Sequence, residues 1–266
     1  MDAFSFMIYL LFLLFTLAVF LIALYQIQYF LIFSPVYYRE DELEDDFELL
    51  YVNTDDGVEL EGVVYEPKNI DKRESSNCST ILFFAGRSHD SVGLIKKLAN
   101  SFPQSRIITF NYRSYGKSQG VVNEKNIFSD ALKIAQLVQK NYGNFYVVGY
   151  SLGSVVASFV ASKKKISSLF LIGSFDSIAL LSKEKYGVNL SMLLRYKFNN
   201  IELVESIEEP TYLFVSSCDE ITYIANARNL KKHIKNLAFY SELDKLTHKE
   251  LLWSKEVREK INEVIF

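Results

Sequence analysis

The chain has 266 residues, with 29 Lys plus Arg against 32 Asp plus Glu and a net charge of −3. That balance supplies no electrostatic surplus for a polyanion, so no nucleic-acid partner is expected. The two cysteines, Cys78 and Cys218, lack metal-ligand or redox spacing and are too few for a disulfide scaffold, so both are expected as free thiols. The length suits one α/β core of about 200 to 250 residues plus an appendage.

The appendage comes first. From Phe4 to Tyr25 every residue is uncharged and nearly all are apolar, which at 1.5 Å per residue gives about 33 Å of helix, enough to cross a bilayer. Asp2 before it and bulky Tyr25, Ile27, Tyr29 and Phe30 after it fit an uncleaved anchor better than a signal peptide, which needs a basic start and a small-x-small exit. Tyr25, Tyr29, Tyr37 and Tyr38 cluster at the far end, where amphipathic rings favour the headgroup level. Arg39 alone does not orient the span, so the side of the membrane stays open. The expected organisation is a transmembrane anchor over residues 1–33, an acidic linker over 34–46 and a catalytic domain over 47–266, with a small cap at 174–209.

The acidic run Glu40 to Glu48 reads as solvated spacer. Phe47 to Asn53 and Glu59 to Tyr65 are strand-like runs around Asp56-Gly57, a hairpin-turn signal, and Pro67 to Thr80 is loop-like. Strands are then expected at Ile81 to Phe84, Arg106 to Phe110, Phe145 to Gly149, Ser168 to Ile172, Thr211 to Ser216 and Leu237 to Tyr240. Helical patterns run from Ser91 to Ser101, Ile127 to Tyr142, Leu152 to Lys163 and Ile224 to Ile234, with a last helix near Glu250 to Val264. Such alternation implies an α/β fold with a mostly parallel sheet covered by helices on both faces. Ser174 to Glu209 breaks the rhythm. Its Ile178, Leu180, Leu181, Val188, Leu190, Met192, Leu193 and Leu194 suit either a lid with an apolar underside or ordinary packing on the sheet.

Gly149-Tyr150-Ser151-Leu152-Gly153 matches G-x-S-x-G between a strand and a helix, the nucleophile elbow of α/β-hydrolases. Its glycines leave room for a sharp, strained turn that lifts Ser151 above the sheet. A serine hydroxyl needs a base, and the base an orienting acid, in the chain order Ser, Asp or Glu, His. His248 follows the last strand and is the expected base. His89 precedes the elbow, and His233 lies in the basic stretch Lys231-Lys232-His233-Ile234-Lys235. Asp219, after the strand Thr211 to Ser216, is the expected acid, with Glu220 and Asp176 as competitors. Oxyanion donors would be the amides of Leu152 and Arg87. No metal or cofactor is called for.

From Leu31-Ile32-Phe33-Ser34-Pro35 to its end the chain resembles the membrane-anchored α/β-hydrolase domain proteins, a group including serine esterases and thioesterases that remove acyl groups. The most specific piece is Asn111-Tyr112-Arg113-Ser114-Tyr115-Gly116-Lys117-Ser118, similar to N-Y-R-G-Y-G-x-S. The elbow, Pro210 with Asp219-Glu220, and His248 also match, and the resemblance implies a triad of Ser151, Asp219 and His248. The chain departs at Ala85-Gly86-Arg87, where His-Gly-Asn is usual, and at Ser216, where a Gly is usual. The expected function is an acyl hydrolase acting at a membrane on an ester or thioester substrate, with lipids and lipidated molecules among the candidates. The rivals are a non-catalytic scaffold on the same fold and an acyltransferase using the same triad.

Overall fold

The hairpin signal, the β-branched runs and the amphipathic segments assemble into a mixed, mostly parallel eight-stranded sheet in a computed structural model describing residues 3–36, 47–67 and 78–266. Its order is β1-β2-β4-β3-β5-β6-β7-β8. Strands β1 (Phe47–Asn53) and β2 (Glu59–Tyr65) form an antiparallel pair, turned by Gly57 at φ +80, a conformation glycine adopts without a Cβ penalty. Strand β2 also runs antiparallel to β4 (Arg106–Phe110), whereas β3 (Thr80–Phe84), β5 (Tyr146–Tyr150), β6 (Leu169–Ile172), β7 (Thr211–Ser216) and β8 (Leu237–Leu243) continue in parallel.

The helices cover both faces, as a buried parallel sheet requires. On one face α3 (Glu124–Tyr142), α4 (Leu152–Ala161) and α7 (Ile224–Lys231) pack Ile127, Ala131, Val155, Val156 and Leu230 over Leu82, Val147 and Leu213. On the other, α2 (Ile95–Ser101) and α9 (Lys255–Ile265) set Leu98, Val257 and Ile261 against Ile81, Phe83 and Val148. Three sequence boundaries move for local reasons. The helix expected from Ser91 divides into a 3-10 turn at Val92–Leu94 and α2. Helix α3 starts earlier than Ile127, because Asn123 caps it by accepting the Asn126 amide. The final helix becomes two, α8 (His248–Leu252) and α9, broken where Trp253 closes the first and Ser254 caps the second.

Helix α1 (Ala3–Ile32) has no buried residue, and its most apolar window has a mean hydropathy of 2.9. It is long and apolar enough to cross a membrane, by length and composition. Its exit is bound to the domain: Phe33 is 1% exposed and packs edge-on against Tyr196 and Phe198. Burying such a ring contributes about 1.5–3 kcal/mol. Gln28 donates to the Leu193 carbonyl at 2.9 Å and accepts from the Arg195 amide at 2.7 Å, and the Arg195 guanidinium lies 4.8 Å from the Tyr25 ring centre. Of the expected linker, Ser34 to Val36 adjoin the domain, while residues 37–46, with Tyr37, Tyr38 and Arg39, lie outside the described residues, as do 68–77 of the expected loop.

Between β6 and β7, the expected cap contains α5 (Ile178–Tyr186) and α6 (Asn200–Val204). Its apolar residues divide: Ile178 and Leu181 pack against the core, but Val188, Leu193 and Met192, the last 98% exposed, face outward. Cys78 and Cys218 are both free thiols, one before β3 and the other after β7.

Candidate active site

Ser151 sits between β5 and α4 at φ 54 and ψ −122, a left-handed conformation that non-glycine residues adopt only when their surroundings impose it. The surroundings here are steric. A Cβ on Gly153 would lie 2.1 Å from the Phe84 carbonyl oxygen, and one on Gly149 would lie 2.4 Å from the Gly153 oxygen. Strand and helix thus approach more closely than any side chain allows, and the turn between them is forced tight. Hydrogen bonds hold it: the Ser151 amide donates to the Ile172 carbonyl at 2.9 Å, and the Ser154 hydroxyl donates to the Ser151 carbonyl at 2.6 Å.

Asp219 and His248 meet across the ends of β7 and β8, with Asp219 Oδ2 2.6 Å from His248 Nδ1 and both residues buried. Asp219 Oδ1 accepts the amides of Ile221 and Thr222 at 2.8 Å each, and Oδ2 accepts the Thr222 hydroxyl at 2.6 Å. Burial pushes the Asp219 carboxyl up, but the His248 hydrogen bond and charge, with the Thr222 donors, outweigh it and hold the group below its ordinary value. It is therefore a carboxylate at neutral pH, held against His248 Nδ1.

His248 is the first residue of α8, two residues ahead of the position where the last helix is expected to begin. Thr247 caps the helix and Glu250 returns the bond in a capping box, a T-x-x-E signal the sequence carried openly. The His248 ring stacks on Tyr150, the residue before Ser151, with centroids 5.0 Å apart, and the Tyr150 hydroxyl donates to the His248 carbonyl at 2.9 Å. Tyr150 thus ties the elbow to the histidine. Ser216, standing where the family pattern has glycine, donates to the Leu246 carbonyl and accepts the Cys218 amide. Its hydroxyl links the loop that carries Asp219 to the loop that leads to His248.

The competitors are placed elsewhere. Glu220 is exposed. Asp176 is buried but accepts the Ser177 amide and the side-chain amides of Asn226 and Asn229. His233 pairs with Glu205 at 2.8 Å on the surface. His89 lies next to the residue before Ser151: its ring meets Tyr150 edge-on at 5.6 Å, on a side chain whose Nδ1 is buried without a partner. Burial lowers its pKa, and the nearby His248 adds to the effect. A histidine two residues after Arg87, in the loop expected to serve the oxyanion, was the available signal.

That loop is braced by the motif after β4. Tyr112 donates its hydroxyl to the Ala85 carbonyl at 2.8 Å, and Tyr115 donates to the Arg87 carbonyl at 2.5 Å. Asn111 joins Glu61, Asp90 and Ser91 through its side-chain amide, and Arg113 is clamped by Asp56 and Asp130. A Cβ on Gly86 would lie 3.2 Å from Ser151 Cβ, so the loop abuts the serine. Leu152, as the first residue of α4, carries an amide with no acceptor inside its own helix. Among the described residues no group of His, Cys, Asp and Glu is arranged to hold a metal ion.

This sheet order, the serine on its sharp turn and the acid and histidine beyond later strands define the α/β-hydrolase fold. The family described as "alpha/beta hydrolase fold" matches residues 80–200, from β3 into α6, and so ends before Asp219 and His248. An uncharacterized protein, R595, of Acanthamoeba polyphaga mimivirus is 27% identical over 212 residues, 70% of this chain and 69% of that one. A lysophosphatidylserine lipase, ABHD12, of Danio rerio is 39% identical over 54 residues, 20% of this chain and 14% of that one. Among solved structures, the esterase Pf2001 of Pyrococcus furiosus superposes with a TM-score of 0.64 at 16% identity, covering 88% of this chain and 96% of that one. At that identity the likeness is one of fold.

Proposed function

We propose that the protein is a serine acyl hydrolase, cleaving an ester or thioester through an acyl-enzyme on Ser151 and acting at a membrane that α1 spans. The observation carrying this reading is the buried Asp219–His248 pair, tied through Tyr150 to a serine at φ 54. Ser151 Oγ attacks the acyl carbonyl carbon as its proton passes to His248 Nε2, the nitrogen opposite the one Asp219 holds. The Asp219 carboxylate stabilises the imidazolium so formed. The tetrahedral oxyanion is met by the amides of Leu152 and Arg87. Collapse expels the alcohol or thiol, which takes the proton from His248, and water then repeats the sequence to release the acid. No step requires a metal or cofactor.

The substrate side of the reading rests on the exposed apolar length of α1 and on the apolar residues of the cap that continue from it. An anchor of this kind raises the local concentration of a bilayer-resident acyl substrate without adding a contact at the site. Labelling of the full-length protein with a fluorophosphonate, wild type beside Ser151→Ala, tests the assignment. Labelling should vanish in the folded variant together with ester hydrolysis. Persistence of the label would move the nucleophile to another residue.

A further inference from the structure

Arg87 occupies the position at which the chain departs from its family pattern, and its side chain turns away from Ser151. The guanidinium donates to the carbonyl of Leu31, in the last turn of α1. Carbonyls there have no intrahelical partner and carry the negative end of the helix dipole, so a cation bound to one both satisfies it and neutralises that end. The Arg87 backbone is held by the same segment. Its carbonyl accepts the Ser34 amide at 3.2 Å and the Tyr115 hydroxyl at 2.5 Å, and the Ser34 amide also lies 3.1 Å from that hydroxyl. Val36 accepts the Gly116 amide at 2.6 Å, and Phe33 between them is sunk in the core.

These bonds converge on one residue from two sides. Leu31 and Ser34 hold Arg87 from the helix exit, and Tyr115 holds it from the loop after β4, while its neighbour Gly86 abuts Ser151. We infer that the exit of α1, Leu31 to Val36, is a positioning element of the active site, locking the oxyanion loop through Arg87 in addition to tethering the domain. The inference rests on the acyl-hydrolase reading for its catalytic meaning. On that reading Arg87 acts in two ways: its amide is the oxyanion donor, and its side chain and carbonyl, bonded to Leu31, Ser34 and Tyr115, keep that amide in register. A charge in the developing oxyanion is stabilised only by donors already in place, and a misplacement of about 1 Å costs on the order of 100-fold in rate.

The test uses full-length protein in detergent micelles, with a short-chain p-nitrophenyl ester as substrate and fluorophosphonate labelling of Ser151 as a second readout. Arg87→Ala keeps the backbone amide and removes only the latch. It should lower kcat by about 10- to 100-fold with KM nearly unchanged, and slow labelling in proportion. Arg87→Lys, which retains a cation able to reach the Leu31 carbonyl, should recover part of the loss. Tyr115→Phe, which frees the Arg87 carbonyl on its other side, should again depress kcat with KM unchanged. Wild-type kcat in Arg87→Ala would overturn the inference, as would a rise in KM alone or a lower melting temperature with kcat intact below it. Those outcomes, in a protein whose Ser151 still labels, would leave the hydrolase reading standing. Absence of labelling in the wild type would remove that reading itself.

Discussion

The ends of β6 and β7 each carry a buried aspartate, and their pKa values move in opposite directions. Asp176, beyond β6, is surrounded by neutral amides from Ser177, Asn226 and Asn229, and burial raises its pKa despite them. Asp219, beyond β7, is also buried, but the imidazole of His248 and the donors of Thr222 hold its pKa down. Burial alone therefore does not set the direction in which a carboxylate's pKa moves. A partner able to carry positive charge makes the difference, and without one the same side chain serves as a hydrogen-bonded staple between the cap and α7.

The largest separation between the two should appear in turnover. Asp219→Asn offers the wrong group to His248 Nδ1 and should lower kcat by about 10³- to 10⁴-fold, whereas Asp176→Asn should keep kcat within a fewfold. Steady-state kinetics on a soluble ester decide between them, and a dead Asp176→Asn beside an active Asp219→Asn would shift the acid one strand over. In stability the effect is smaller. Asp176→Asn replaces an oxygen that accepts the Asn229 amide with a nitrogen, and should cost about 1–2 kcal/mol in chemical denaturation.

The pH dependence should carry opposite signs. The lowered Asp219 pKa means a stabilising contribution that is complete above the ordinary aspartate value of 3.8 and is lost as pH falls through the folded-state value below it. The raised Asp176 pKa means a charged form that costs stability above its folded-state value, a cost relieved as pH falls toward 3.8. Denaturation midpoints from about pH 6 to pH 3, compared with Asp219→Asn and Asp176→Asn, should diverge in opposite directions. Shifts of the same sign would mean the two sites do not differ as described. The smallest expected effect isolates burial. His233 and Glu205 form the same kind of pair at 2.8 Å, but partly exposed. His233→Ala should change stability by about 0–1 kcal/mol and leave kcat at the wild-type value.

What the sequence made legible follows from range. The bounds of β1, β2, β4 and β7 are those expected, because turn residues and short apolar runs act over a few positions. The glycines of the elbow were legible for a steric reason that the 2.1 and 2.4 Å approaches make concrete. Asp219 and His248 could be selected by chain order, and the structure brings them together. The break between α8 and α9 is not legible because Trp253 and the cap at Ser254 interrupt an otherwise continuous apolar period. The Arg87 latch and the embedding of Phe33 were not legible. Each joins residues far apart in the chain, where no local pattern reports on what will be adjacent.

Helix α8 brings one more property through Trp253, the only tryptophan in the chain. It closes the short helix that begins at His248, is partly buried, and has the Lys97 ammonium 5.9 Å from its ring centre. Its emission is therefore a single-site optical signal from the helix that bears the histidine. A cation beside the indole and a changing share of solvent both shift indole fluorescence, so a ligand that displaces α8 would be read out without any attached dye. The chain carries its own spectroscopic gauge one turn away from the residue whose placement matters most.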